Sequence, residues 1–86
     1  MNVDIAALRL IEREKEISFD TVVQAIETAL LTAYKHTEGP QPDARVEVDR
    51  KTGTVTVWAQ ELADDGTVLR EWDDTPHDFG RIAAMT

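Results

Sequence analysis

The stretch ISFDTVVQAIETALLTAYKHTEGP (residues 17–40) predicts the longest helix of the chain, on which the rest of the fold packs. Ser18 suits the N-cap position, and Ile17 before it is placed for a hydrophobic staple. Apolar residues then recur at helical spacing and form a wide stripe: Phe19, Val22, Val23, Ile26, Ala29, Leu30, Ala33 and Tyr34. Gly39 and Pro40 end the helix.

A shorter amphipathic segment precedes this helix. Residues 3–13 carry apolar side chains at helical spacing, and Asn2 suits the cap of a first helix. The apolar residues lie on two adjacent stripes: Val3, Ala7 and Leu10, and beside them Ile5, Leu8 and Ile11.

Alternating apolar and polar residues after the long helix predict three antiparallel strands. In ARVEVDRKTGTVTVWAQ (44–60), two strands flank a loop at 49–53 whose glycine can take positive φ. A second turn at 64–66 leads to the strand TVLREW (67–72). The expected fold is therefore α+β, with two N-terminal helices packed on a three-stranded antiparallel sheet. One sheet face carries Val46, Val48, Val55 and Val57.

The sequence DDTPHDFGRIAAMT (73–86) predicts the start of a third helix. Thr75 suits the cap, Pro76 the first helical position, and Asp78 the closing residue of a capping box. No stop signal follows. Residues 1–75 are therefore expected to form one head domain, and residues 76–86 the start of a truncated helix.

Charge and composition exclude several classes of protein. Seventeen Asp and Glu residues against nine Lys and Arg give a net charge of −8. Because nucleic-acid affinity depends largely on neutralised phosphates, this chain should bind nucleic acid poorly by itself. It has no Cys for a disulfide framework or a thiolate zinc site. It also has no long apolar run and no signal-peptide pattern, so a cytoplasmic protein is expected.

No residue pattern predicts catalysis, a metal or a cofactor. His36 and His77, the two histidines, do not form an HExxH or HxxxH pattern. The Asp64-Asp65-Gly66 stretch lacks the alternating acids and distal Glu of a calcium loop and is typical of a hairpin turn. Ser18 is the only serine and is better explained as a helix cap. We therefore expect neither an enzyme nor a cofactor-binding protein.

Three segments of the chain together resemble the N-terminal domain of NusA, the bacterial transcription elongation, termination and antitermination factor. They are ISFDTVVQAIETALLTAYKHTEG (17–39), ARVEVDRKTG (44–53) and EWDDTPHDFGRIAAMT (71–86). The FGRIAA segment (79–84) is the most specific part of the resemblance. The sequences DDTP (73–76) and ALLTAY (29–34) are most similar to those of actinobacterial members.

The resemblance implies a domain that binds RNA polymerase. In this family the N-terminal domain docks on the β subunit flap near the RNA exit channel, where the factor modulates pausing, termination and antitermination. Residues 76–86 would begin the connector helix that leads to the RNA-reading domains, an OB-fold and two KH domains. Nascent RNA would then be bound mainly by domains absent from this chain.

Candidate contact residues follow from the resemblance and from the strand pattern. For the polymerase contact, an apolar groove that receives an amphipathic helix is expected, with Leu31, Tyr34 and Trp58 as the candidate residues. Trp58 alternates onto the face opposite the valines, where an aromatic either anchors a partner or covers the sheet.

The alternative function is an autonomous small RNA-binding domain. Its candidate contacts are the basic residues at the end of the long helix and along the hairpin: Lys35, His36, Arg45, Arg50 and Lys51. Phosphate contacts lose affinity steeply as salt rises, whereas an apolar contact does not, so salt dependence separates the two hypotheses.

Overall fold

The computed structural model describes residues 1–37 and 39–85. Two helices are followed by three strands and a short helix: α1 (Ile5–Lys15), α2 (Phe19–Lys35), β1 (Ala44–Val48), β2 (Val55–Leu62), β3 (Val68–Asp73) and α3 (Phe79–Met85). This order confirms the predicted α+β architecture. Among the described residues, no helix is long and apolar enough to cross a membrane.

The sheet is antiparallel, with β2 between β1 and β3. β3 pairs only with the second half of β2, starting at Trp58. The first residues of the chain occupy the rest of that edge, since the Val55 N–H donates to the Met1 carbonyl at 2.9 Å and the Val3 N–H to Gly53 at 2.7 Å. β2 is therefore bordered by β1 on one side and by β3 and residues 1–3 on the other, which explains why it is the most buried strand.

The core forms between the valine face of the sheet and the apolar stripe of α2, as the periodicity predicts. Leu8 of α1 and Phe79 of α3 complete it at the two ends of the chain. The other buried residues of the cluster are Phe19, Val23, Leu30, Ala33, Tyr34, Val46, Val48, Val55 and Val57. Ile26 packs at the margin of this cluster, and Ala29, which the periodicity placed on the stripe, is exposed.

The first helix begins later than its periodicity suggested. Asp4, not Asn2, is the N-cap, and its carboxylate accepts the Ala7 N–H at 3.1 Å. Asn2 instead forms an isolated β-bridge with Thr54, so the chain is extended where a cap was expected. Leu8 is the buried residue of α1, while the side chain of Leu10 stays 48% exposed.

The start of α2 depends on a side chain of α1. Ser18 occupies the predicted N-cap position, but its side chain makes no capping hydrogen bond. The Glu12 carboxylate accepts the Phe19 N–H at 2.9 Å instead. The Arg9 guanidinium pairs with Glu12 at 3.2 Å and lies 3.6 Å from the Phe19 ring centroid. The two helices are thus joined at the point where the second begins.

The third helix begins at Phe79, three residues after the predicted position at Pro76. Thr75 is not its cap. The Thr75 hydroxyl donates to the Asp73 carboxylate at 2.6 Å and accepts the Val57 N–H at 2.9 Å, so it extends the edge of β2. The predicted connector segment 76–86 contains Thr86, which lies outside the described residues.

Candidate interaction surface

A groove lies between α2 and the outer edge of β1, with a volume of about 360 Å³. Its helical wall holds residues spaced three and four apart, which places them on one face of α2. Leu31, a predicted polymerase contact, is the apolar member of this wall. The lining consists of Gln24, Glu27, Thr28 and Leu31 from α2, and Ala44, Arg45 and Val46 from β1.

One end of the groove is closed by an ion-pair network. The Glu27 carboxylate accepts the Val48 N–H at 2.9 Å and lies 3.8 Å from the Arg50 guanidinium. Arg50 also donates to Asp20 at 2.9 Å, and this bond raises the pKa of the Arg50 guanidinium. The network joins α2 to the end of β1 next to the groove.

On the other face of the sheet, Arg45 connects β1 with β3. Its Nε and Nη2 atoms donate to the two carboxylate oxygens of Glu71 at 2.8 and 3.0 Å. Gln60 donates to the same carboxylate at 2.7 Å. The bond from Arg45, and then that from Gln60, lowers the pKa of Glu71. Bidentate pairing of this kind fixes the plane of the guanidinium.

Trp58 lies on this outer face, opposite the valines, as the alternation predicted. It pairs directly with Arg45 in the register, and the guanidinium carbon lies 5.7 Å from the Trp58 ring centroid. The ring is partly buried, and its indole N–H is buried without an acceptor among the described residues. Trp58 is therefore a partly buried aromatic residue that lies near the Arg45 guanidinium on the outer face of the sheet.

Tyr34, the third candidate contact, lies in the core and is 1% exposed. Its hydroxyl donates to Asp74 at 2.6 Å and accepts the Gln41 N–H at 2.7 Å. Burial, followed by the bond to Asp74, raises the pKa of the Tyr34 phenol. Of the three candidate contacts, Leu31 and Trp58 are thus partly exposed, whereas Tyr34 is buried.

The five basic candidates lie on three different elements. Arg45 and Arg50 are already paired with carboxylates. Lys35 and His36 are exposed at the end of α2, and Lys51 is exposed in the β1–β2 loop. Two of these five residues are therefore already ion-paired within the domain, which weakens the RNA-binding hypothesis.

The far end of the β2–β3 hairpin carries apolar side chains that sequence reasoning missed. Leu62, Val68 and Leu69 are 36%, 47% and 61% exposed. β2 continues beyond Ala59, its last residue paired with β1, so this end of the hairpin extends past the edge strand. The alternation in TVLREW predicts that Val68 and Leu69 lie on opposite faces of the sheet. It does not show that the helices stop short of this end of the hairpin, which leaves both residues exposed.

The described residues contain no cluster of three His, Cys, Asp or Glu side chains able to hold a metal ion. The polar groups on these surfaces are instead engaged in strand-to-strand and helix-to-strand contacts.

Comparisons with known proteins agree on one family. The family model described as NusA N-terminal domain matches residues 5–65. The chain is 56% identical over 86 residues to "Transcription termination/antitermination protein NusA" of Mycobacterium tuberculosis (strain ATCC 25618 / H37Rv), covering 100% of this chain and 25% of the relative. It is 35% identical to the protein of the same name from Bacillus subtilis (strain 168), over 93% of this chain and 28% of that relative.

A solved structure supports the same grouping. The solution structure of the N-terminal domain of NusA from B. subtilis matches with a TM-score of 0.70 and 35% identity, covering 94% of this chain and 83% of that one. The chain spans about a quarter of the length of the curated relatives it matches. The higher identity to mycobacterial relatives agrees with the predicted actinobacterial resemblance.

Proposed function

The chain belongs to the NusA N-terminal domain family, and on this basis we propose that it is the polymerase-binding head of a transcription termination/antitermination factor. We place its docking site on the β flap of RNA polymerase near the RNA exit channel, where the factor modulates pausing and termination. The observation that carries this proposal is the 56% identity, along the whole chain, to a factor named for termination and antitermination.

The charges of the head support the proposal that it binds the polymerase and leaves RNA binding mainly to other domains. With a net charge of −8, and with Arg45 and Arg50 paired to carboxylates, the head is poorly suited to bind phosphates. Nascent RNA is bound mainly by other domains of the full-length factor. Residues 1–75 form the head, and residues 76–86 begin the connector to those domains. The factor acts in the cytoplasm, where bacterial transcription takes place.

The proposed contact surface comprises Leu31 on α2 and Trp58 on the outer sheet face. Arg45 lies between the two, because it lines the groove beside Leu31 and pairs with Trp58 across the strands. An apolar residue in the groove and a partly buried aromatic on the outer sheet face suit a mainly apolar contact with a partner helix. Tyr34, which is buried, is not part of this surface.

The test is a binding measurement with two probes, an isolated β flap fragment and a single-stranded RNA of about ten nucleotides. We expect the chain to bind the flap fragment with little change between about 50 and 200 mM salt, because the contact is mainly apolar. Submicromolar RNA binding at physiological salt without flap binding would overturn the proposal in favour of the autonomous RNA-binding domain.

A further inference from the structure

The outer edge of β1 carries backbone groups that point away from the sheet. Val57 accepts the Asp74 N–H at 2.8 Å and donates its own N–H to the Thr75 hydroxyl at 2.9 Å, both on the β3 side of β2. Val46 and Val57, though directly opposite, therefore form a pair without mutual hydrogen bonds. The N–H and C=O of Val46 must point to the free edge.

The same alternation directs the backbone groups of Ala44 and Val48 outward. Those of Val48 are satisfied, since its N–H donates to Glu27 at 2.9 Å and its carbonyl accepts from Arg50 at 3.4 Å. For Ala44 and Val46, the described part of the chain supplies no partner on this edge. An open stretch of strand edge thus borders the groove.

The side chains around this edge are mainly apolar on the groove side and charged on the outer face. Leu31 lies with Ala44 and Val46 in the groove. Glu27 stands in the helical wall, and the side chain of Glu47, on the outer face of β1, is 50% exposed with Arg45 at 3.5 Å. A segment lying along the edge would meet an apolar surface inward and, on the outer face, the half-exposed carboxylate of Glu47 beside Arg45.

We propose that β1 accepts an added strand: a peptide segment in extended conformation, with alternating apolar and basic side chains, binds along Ala44–Val46. Backbone groups two residues apart on a strand are met by another strand, which repeats its own groups at the same spacing. A helix cannot meet them, since its backbone groups are bonded internally. An apolar side chain of the segment lies against Leu31, and a basic one lies near Glu47.

This inference goes beyond the proposed function, since the added strand is recognised by backbone groups and not by any feature of the polymerase. The flap-binding measurement remains a separate test. Binding of a peptide to the β1 edge and binding of the flap fragment can each succeed or fail alone.

The test uses the whole chain, ¹⁵N-labelled, titrated with a capped peptide of about seven residues that alternates lysine and valine. We expect amide shifts at Leu31 and at 44–46. A second peptide with N-methylated valines keeps every side chain but lacks those N–H donors. We expect it to bind roughly tenfold more weakly, because about two ordinary hydrogen bonds are lost.

A matched pair of variants tests the location. Thr28 lines the groove and Thr32 does not, yet both are exposed on α2 and both hydroxyls donate to the carbonyl four residues earlier. Thr28→Lys should block binding, while Thr32→Lys, which adds the same charge, should leave it nearly unchanged. Equal binding by the N-methylated peptide, equal effects of the two variants, or no shift at millimolar peptide would each overturn the proposal.

Discussion

The hydroxyl of Tyr34 donates a 2.6 Å hydrogen bond to the carboxylate of Asp74, forty positions further along the chain. The same hydroxyl accepts the Gln41 N–H at 2.7 Å. One buried side chain near the end of α2 therefore holds the loop that leads into β1 and the turn that leads into α3. The residue that joins these three segments is buried and is therefore not part of the candidate surface.

Replacing Tyr34 with Phe should destabilise the domain by about 1–3 kcal/mol. The ring would still fill its place in the core, but the Gln41 N–H and the Asp74 carboxylate would lose a partner. Urea unfolding measures the change, and an unaltered m-value would show that stability falls without a change in the surface exposed on unfolding. Unchanged stability would mean that water replaces the hydroxyl fully.

The same pair makes stability depend on alkaline pH. Because burial and Asp74 raise the pKa of Tyr34 above 10.0, the folded state holds the phenol proton more tightly than the unfolded chain. This contribution is complete below the unfolded pKa and is lost as pH rises through the folded pKa. The Phe variant should therefore show a shallower loss of stability above about pH 10 than the parent chain.

Local signals were enough to predict the long helix and the two hairpins. Phe19 to Tyr34 repeat with a period that only a helix buries on one side, and Gly53 and Gly66 do take positive φ in the predicted turns. Ser18 was placed correctly, but its role was not, because the capping carboxylate comes from Glu12 in another helix.

The groove and the Tyr34 contacts could not be predicted, because they depend on how distant segments pack. Residue spacing places Gln24, Thr28 and Leu31 on one face of α2 but does not say that this face meets the free edge of β1. Thr75 likewise lies in a sequence typical of a helix cap, but its hydroxyl accepts the Val57 N–H in the sheet instead of capping α3.

Gly53 and Gly66 both adopt positive φ, and substitution by Ala should affect them unequally. At Gly66 an added Cβ would contact no other atom. The loss of stability should therefore be about 1–2 kcal/mol, from the left-handed backbone conformation alone. At Gly53 a Cβ would collide with the Val3 carbonyl, which would also break the Val3–Gly53 hydrogen bond. Thermal unfolding should therefore show a clearly larger loss for Gly53→Ala. Equal losses would mean that the first residues of the chain do not hold the edge of β2.

Acid should weaken the link between β1 and β3. Arg45 holds the pKa of Glu71 below its ordinary value of 4.5, so this contribution is complete above the unfolded pKa and is lost as pH falls through the folded pKa. Melting temperature should fall between about pH 5 and pH 3, and less steeply in Glu71→Gln. Asp65→Asn is a useful control, because the pKa of Asp65 is lowered by Thr67 within its own turn.

Trp58→Ala should separate binding from folding on the proposed polymerase-binding surface. A buried aromatic anchor typically contributes about 2 kcal/mol at an interface, so affinity for the β flap fragment should fall roughly thirty-fold. Stability should fall less than for a core aromatic, because the ring is only partly buried and its indole N–H already lacks an acceptor in the described part of the chain.

Trp72→Ala is the matched control for this prediction. Trp72 pairs with Ala59, which lies on the valine side of β2, and the Arg70 guanidinium carbon is 4.7 Å from its ring centroid. It shares partial burial and a neighbouring guanidinium with Trp58 but lies on the other sheet face, and its removal should leave flap affinity unchanged. Flap affinity lost only in Trp58→Ala, with the melting temperature retained, supports the outer face as the contact surface. Equal losses of affinity in both variants, or a loss that follows stability alone, would remove Trp58 from the proposed contact surface and leave Leu31 as its remaining member.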